Sequence, residues 1–147
     1  MSVMKSILLV EDDPNDVELI MAGLASNKLA NDIIVTRDGE EALDYLNYRG
    51  KYAGRTGGNP AVVLLDLKLP KVGGLEVLDH IRSNPKLVRV PVVILTSSGE
   101  EKDIIEGYRL GTNGYVVKPL NFHEFVDAVM KTGAFWAIIN EPPPRSA

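Results

Sequence analysis

Residues 7–14 read Ile-Leu-Leu-Val-Glu-Asp-Asp-Pro, a short aliphatic run that stops at three carboxylates and a proline. An unbroken aliphatic run of this length is typical of a strand that is buried on both faces of a parallel sheet. Asp13 and Pro14 then have the character of a helix N-cap and a first helical residue. Apolar residues with helical spacing follow at Val17, Ile20, Met21 and Leu24. The stretch therefore predicts a buried strand, an acidic turn and a helix.

The same succession of strand and helix recurs along the chain. Four further apolar runs, each followed by helical periodicity, lie at residues 33–35, 62–65, 92–95 and 115–117. Five strand–helix units in succession favour a parallel sheet with right-handed crossovers and helices on both faces. We therefore predict a doubly wound α/β fold, in which ligands bind beyond the carboxyl ends of the strands.

Polar side chains stand where four of the five predicted strands end. They are Glu11, Asp12, Asp66, Thr96 and Lys118. Clustered carboxylates suit Mg²⁺, which takes one or two protein carboxylates together with water and phosphate oxygens. Lysine supplies a mobile positive charge for a phosphoryl oxygen. Together these groups predict a phosphoryl-transfer site with a carboxylate nucleophile.

The motifs at these strand ends resemble those of the response-regulator receiver domains of two-component signalling. The matching stretches are residues 10–14, 65–70, 96–97 and 118–119, and the resemblance extends from residue 5 to about residue 129. It implies a flavodoxin-like (βα)5 three-layer sandwich, with a five-stranded parallel sheet of order 2-1-3-4-5. Residues 1–147 would then form a single receiver domain with no output domain.

The resemblance assigns the phosphoryl acceptor and the metal ligands. Asp66 matches the aspartate that takes a phosphoryl group from a sensor histidine kinase. Glu11 and Asp12 match the acidic pair that holds Mg²⁺, with Asp12 as the direct ligand and Glu11 acting through water. Asp66 and the backbone carbonyl of Lys68 would complete the metal site.

The remaining motif residues would sense the phosphoryl group and pass on its presence. Thr96 and Lys118 are expected to bind the phosphoryl oxygens, and Tyr115 matches the switch residue that moves with Thr96. Pro119 implies a cis bond after Lys118, since only proline makes that isomer inexpensive. The implied protein is a phosphorylation-activated switch that signals through a protein–protein surface. It is not an enzyme, apart from its own phosphorylation and dephosphorylation.

Two segments fall outside the five units. Residues 47–61, which are rich in glycine and cations, predict an extended exposed loop. Residues 130–147 predict an apolar helix and tail, whose large side chains point in too many directions to face one core. We expect a homodimer there, with the alternative that the tail folds over its own sheet. The expected interface residues are Phe135, Trp136, Ile138 and Ile139.

The loop and the tail together are similar to those of the single-domain response regulators that serve bacterial phytochromes. This similarity makes a phytochrome one expected kinase.

Composition excludes several other classes of protein. The 147 residues, 45% hydrophobic and 24% charged, suit one globular domain. A net charge of −4 argues against nucleic-acid binding, and no apolar run approaches the ~18 residues of a membrane span. Cysteine is absent, so disulfides, thiolate metal sites and cysteine nucleophiles are excluded. A cytoplasmic location is expected.

Two other functions remain open at this point. One is a pseudo-receiver, a binding module that is never phosphorylated. The other is an aspartate-nucleophile phosphatase of the haloacid type. That class needs a carboxylate two residues after the nucleophile, where this chain has Lys68.

Overall fold

Strands and helices alternate along the chain, as the apolar runs predict. The computed structural model describes residues 5–27 and 33–144. The elements are β1 (Ile7–Val10), α1 (Pro14–Ala25), β2 (Ile33–Thr36), α2 (Gly39–Leu46), β3 (Val62–Leu65), α3 (Gly74–Ser83), β4 (Val92–Thr96), α4 (Glu101–Arg109), β5 (Gly114–Val117) and α5 (Phe122–Gly133). All strand pairs are parallel and the order is β2-β1-β3-β4-β5. The predicted fold class and strand order are both confirmed.

The sheet separates two apolar cores. In β1, Leu8 and Val10 face the core that α2 and α3 cover, whereas Ile7 and Leu9 face the core that α1 and α5 cover. All four side chains are buried. A central strand that is covered on both faces must be apolar at every position, which explains the unbroken aliphatic run.

The first helix begins where its sequence predicts. The side chain of Asp13 accepts hydrogen bonds from the backbone N–H groups of Asn15, at 2.8 Å, and Asp16, at 3.4 Å. Asp13 therefore serves as the N-cap of α1, and it satisfies N–H groups that have no partner within the helix. Glu11 and Asp12 are left between the strand and this cap, at the edge of the sheet.

Residues 47–61 are fastened to α2 and do not extend freely into solvent. The guanidinium of Arg55 lies between the rings of Tyr45 and Tyr48, at 3.9 and 3.8 Å from their centroids. Its Nε donates a hydrogen bond of 2.6 Å to the carbonyl of Tyr45. Regular structure in the segment is limited to one 3₁₀ turn at Gly50–Tyr52. Stacking of arginine on aromatic rings thus connects this glycine-rich segment to α2, although most of its residues are exposed.

The end of the chain continues α5 through a π-helical segment, Ala134–Ile139. Trp136 packs against the core beneath α1 and α5, while Phe135, Ile138 and Ile139 are 46, 50 and 69% exposed. The rings of Phe135 and Trp136 meet edge to face, at 5.1 Å between centroids. One of the four predicted interface residues therefore folds back on its own domain, and three remain accessible.

Within the described ranges 5–27 and 33–144, no helix combines the length and the apolar character that a bilayer crossing requires.

Candidate functional site

The predicted site residues meet at one edge of the sheet. Val10 lies beside Leu65, and Thr96 lies beside Val117. The strands are parallel and in this register, so the residues that follow them emerge together. The residues brought together in this way are Glu11, Asp12, Asp66, Thr96 and Lys118.

Three carboxylates converge at this edge. Glu11, Asp12 and Asp66 can each place an oxygen so that the three oxygens lie within 4.8 Å of one another. Glu11 and Asp66 are buried, at 1 and 8% exposure, whereas Asp12 is exposed and opens the cluster to solvent. Converging carboxylate oxygens with one face open to water fit a hard divalent cation such as Mg²⁺, which retains several of its water ligands.

A buried ammonium group neutralises part of this charge. Lys118 Nζ lies 2.5 Å from Glu11 Oε1, 2.8 Å from Asp16 Oδ2 and 3.4 Å from Asp66 Oδ2. Burial alone lowers the pKa of Lys118, but its hydrogen bonds to Asp16 and Glu11 and the charge of Asp66 outweigh burial and raise that pKa. Lys118 therefore remains charged at neutral pH and is available to an anionic group on Asp66.

Glu11 titrates near neutrality. The pKa of Glu11 is raised from 4.5 to about 7, mainly by burial, and the hydrogen bond from Lys118 offsets only part of the effect of burial. The charge of Asp66 contributes to this rise, because two anions so close together repel. A cation that binds between Glu11 and Asp66 would offset the cost of burying their charge and their mutual repulsion, and it would therefore lower the pKa of Glu11.

Thr96 and Tyr115 are connected through the loop that follows β4. Thr96 is fully buried, and the backbone N–H of Ser98 donates to its hydroxyl oxygen at 3.4 Å. The hydroxyl of Tyr115 donates to the Ser98 carbonyl at 2.8 Å, and its ring packs against the core. A movement of Thr96 would therefore act on the residue that holds the Tyr115 hydroxyl.

Lys68 lies in the loop between β3 and α3, and its side chain is exposed. Close to it, Asp66 Oδ1 accepts a hydrogen bond from the N–H of Leu67 at 2.8 Å, which orients the carboxylate. The assignment of the Lys68 carbonyl as a metal ligand stays a prediction.

The bond between Lys118 and Pro119 is trans, because no described peptide bond is cis. The expectation of a cis bond is therefore wrong. The two isomers of a bond before proline differ by only about 0.5–1 kcal/mol, so the surrounding structure decides between them. The trans chain already brings the Lys118 ammonium to Glu11 and Asp66.

Asp16 belongs to the site and was missed by sequence reasoning. Its carboxylate pairs with Lys118 across 102 residues of sequence. The position of Asp16 in the sequence could have predicted this. Helix α1 starts at the carboxyl end of β1, so the first turn of α1 must lie beside the strand ends. An acid in that turn is easily assigned to the helix dipole alone.

Gly74 allows α3 to approach closely the backbone of Asp66 and Leu67, directly after β3. A Cβ at this position would lie 2.2 Å from the Asp66 carbonyl oxygen and 2.7 Å from Leu67 Cα. Both contacts are with backbone, so neither can be relieved by a rotamer change. The absence of a side chain at Gly74 is what allows the helix to begin there.

Replacing Gly74 with alanine is expected to lower the free energy of unfolding by about 2–3 kcal/mol, because the backbone around Asp66 must move. Urea denaturation measures the difference. Gly99→Ala is the control, since a Cβ at Gly99 meets no atom closer than the Val117 methyl groups at 3.8 Å. Equal stability of the two variants would contradict this explanation of the close approach.

A model of the response regulator receiver domain matches residues 7–130. The chain belongs to this family. The receiver match spans every strand and most of α5.

The relatives of this receiver include response regulators, among them two that are named as phytochrome or bacteriophytochrome response regulators. Response regulator Rcp1 of Synechocystis sp. is 40% identical over 132 residues, which are 90% of this chain and 88% of Rcp1. The phosphorylated cyanobacterial phytochrome response regulator RcpA is 40% identical, with a TM-score of 0.89 over 96% of this chain and 99% of RcpA. The bacteriophytochrome response regulator RtBRR is 58% identical, with a TM-score of 0.76 over 97% of this chain and 86% of RtBRR.

Rcp1 has also been solved in a Mn²⁺-bound form. That structure is 38% identical to this receiver, with a TM-score of 0.88 over 95% of this chain and 99% of Rcp1.

Proposed function

We propose that this receiver is a phosphorylation-activated response regulator whose phosphoryl acceptor is Asp66. The observation that carries the proposal is the position of the Asp66 carboxylate, which converges with the carboxylates of Glu11 and Asp12 and lies 3.4 Å from the buried ammonium of Lys118. A carboxylate nucleophile needs charge neutralisation on the phosphoryl oxygens, and this arrangement supplies it.

Mg²⁺ is the proposed cofactor, held by Glu11, Asp12, Asp66 and the Lys68 carbonyl. The converging carboxylates fit a hard cation, and the relative Rcp1 binds Mn²⁺. When bound, such an ion neutralises negative charge on the transferring phosphoryl group. The aspartate then attacks with less electrostatic repulsion.

The side chains of the site would carry the transfer itself. An Asp66 carboxylate oxygen attacks the phosphorus of a phosphohistidine on the kinase, the P–N bond breaks with its electron pair staying on the imidazole nitrogen, and that nitrogen takes a proton from water. The ammonium of Lys118, which lies 3.4 Å from Asp66 Oδ2, then donates a hydrogen bond to a phosphoryl oxygen. The Thr96 hydroxyl donates to another phosphoryl oxygen. The product is an acyl phosphate on Asp66.

The signal would leave through the face formed by α4, β5 and the start of α5. Movement of Thr96 acts on the loop at Ser98, which holds the Tyr115 hydroxyl. A shift in the population of two conformations then changes the surface that a partner meets. Large exposed apolar side chains on this face are Ile105, Tyr108, Val117, Leu120 and Phe122.

A sensor histidine kinase of the phytochrome type is the proposed partner. The relatives RcpA and RtBRR are phytochrome response regulators, which supports this choice. We also propose a cytoplasmic location, where the kinase would present its phosphohistidine.

Incubation with a small labelled phosphodonor and Mg²⁺ tests the proposed function. Wild type is expected to take up label, and Asp66→Asn is expected to take up none, because an amide is not a competent nucleophile. Asp79→Asn, which removes an exposed carboxylate from α3, is the matched control and should retain uptake. Mg²⁺ binding without uptake would indicate a pseudo-receiver, and release of phosphate from an ester would indicate a phosphatase.

We further propose a homodimer through the end of the chain. Phe135, Ile138 and Ile139 are exposed apolar side chains on the π-helical continuation of α5, and the ring of Trp136 meets that of Phe135 edge to face. Lys5 donates to the carbonyls of Ile138 and Asn140, which holds this segment against the body of the domain. Apolar side chains on a fixed helix suit burial against a second copy.

Ile139→Lys is expected to raise the dimer dissociation constant about tenfold or more, because a charge would replace the most exposed apolar side chain of the proposed interface. Light scattering coupled to gel filtration measures the mass at micromolar concentration. Val88→Lys is the control, since Val88 is also exposed and apolar but lies in the turn before β4. A monomeric wild type, or equal masses for the two variants, would count against this interface.

A further inference from the structure

Asp16 stands apart from the other carboxylates of the site. It lies in the first turn of α1, and its Oδ2 is 2.8 Å from Lys118 Nζ. The converging cluster that fits a cation consists of Glu11, Asp12 and Asp66. Asp16 thus contacts the ammonium without belonging to the proposed metal site.

Lys118 uses all of its hydrogen-bonding capacity on carboxylates. An ammonium has three N–H groups, and its three acceptors here are Glu11, Asp16 and Asp66. Two of these acceptors, Glu11 and Asp66, are the groups that a divalent cation and a phosphoryl group would occupy. Asp16 is the acceptor that stays available to the ammonium after the other two are engaged.

A cation that enters the cluster changes the electrostatic environment of Lys118. Two positive charges then lie within a few ångströms of each other, and like charges repel strongly where burial limits screening. An ammonium with no third carboxylate would have to stay on Glu11 and Asp66, in competition with the cation, or leave the site. Asp16 offers a third position, still within reach of the phosphoryl oxygens.

The position of Asp16 is itself well defined. Its backbone N–H lies 3.4 Å from the Asp13 cap, and its side chain is only 25% exposed. The carboxylate therefore acts from a capped helix end and not from a mobile loop. A fixed acceptor can hold Lys118 Nζ in place at little cost in side-chain entropy.

We propose that Asp16 is a positioning residue for phosphoryl transfer, which draws the Lys118 ammonium away from the metal-binding carboxylates and keeps it beside Asp66. The inference rests on the proposed function, because it assigns Asp16 a part in that same reaction. It concerns a side chain that acts through Lys118 and does not itself contact the phosphoryl group.

Mg²⁺ affinity, measured by calorimetry, tests the proposal. Asp16→Asn is expected to weaken Mg²⁺ binding about tenfold, as loss of an outer partner of a metal site commonly does. Glu18→Gln removes the same charge from an exposed position on α1 and is expected to have little effect. Asp16→Glu restores a carboxylate and is expected to bind Mg²⁺ nearly as tightly as wild type.

A double-mutant cycle separates action through Lys118 from a simple loss of negative charge. In a Lys118→Met background, Asp16→Asn should change Mg²⁺ affinity much less than it does in wild type. An equal effect in both backgrounds would overturn the proposal, as would an Asp16→Glu variant that binds as weakly as Asp16→Asn.

The metal-free protein provides an independent readout. The ¹⁵N resonance of the Lys118 ammonium should be resolved in wild type and should broaden in Asp16→Asn, because the group loses one of its three acceptors. An unchanged resonance would contradict the proposed contact. If wild type neither binds Mg²⁺ nor takes up a phosphoryl group, the proposed function fails. If wild type does both and Asp16→Asn behaves identically, only this inference fails.

Discussion

Lys118→Met is expected to lower the rate of phosphoryl uptake at Asp66 by about 100-fold, the cost of removing one preorganised donor from a buried site. Lys118 is buried at 8% exposure, and its Nζ lies 3.4 Å from Asp66 Oδ2. Methionine fills a similar volume without a charge, so the phosphoryl oxygens would lose their cationic partner. A time course of labelled phosphodonor uptake at saturating Mg²⁺ measures the change.

The same substitution should act on the metal in the opposite direction. The ammonium contacts Glu11 and Asp66, so its removal is expected to raise Mg²⁺ affinity while uptake falls. A misfolded protein would lose both properties, and the opposite signs therefore identify a specific effect. Lys102→Met, which removes a lysine that is 77% exposed in α4, is the control. Uptake by Lys118→Met at the wild-type rate would contradict the assigned role.

The metal-free protein is expected to be more stable at pH 5.5 than at pH 8, by about 1–2 kcal/mol. Burial raises the pKa of Glu11 from 4.5 to about 7, so the folded state binds a proton in this window more readily than the unfolded state. The stabilisation from this group is fully present below the ordinary pKa and is lost as the pH rises through 7. The raised pKa of Lys118 keeps that group charged throughout the window.

Urea denaturation in the presence of a chelator measures this pH dependence. Glu11→Gln removes the titrating group, and its stability is expected to change much less between the two pH values. Addition of Mg²⁺ to wild type should also reduce the difference, because a bound cation favours the ionised form of Glu11. A wild type whose stability rises with pH across the window would contradict the proton uptake assigned to Glu11.

Burial explains why the strands of the sheet could be predicted from the sequence. Residues 62–65 and 92–95 are unbroken apolar runs because β3 and β4 have a helix layer on each face. The positions of the polar residues that follow the strands could be predicted for the same reason, since a polar residue at the end of a buried run must lie at the edge of the sheet. The sequence alone therefore predicts that Asp66 and Lys118, 52 residues apart, lie at one site.

The features that the sequence did not predict depend on contacts between side chains that are distant in the sequence or on the packing of whole segments. The residues around Asp16 in the sequence do not distinguish it from any other acid in a first helical turn. Its partner, Lys118, lies 102 residues further along the chain. The packing of Arg55 between Tyr45 and Tyr48 depends likewise on how a glycine-rich segment turns back on α2. Trp136 turns inward because the extended α5 lies over the core, which its amino-acid type alone does not reveal.

The most direct measurement is fragment mass spectrometry of the wild-type protein after incubation with a small phosphodonor. One phosphoryl group is expected on the peptide that contains Asp66, and only when a divalent cation is present. A chelator should prevent the modification without unfolding the protein. A phosphoryl group on another residue, or none at all in the presence of Mg²⁺, would contradict the role of Asp66 as the acceptor.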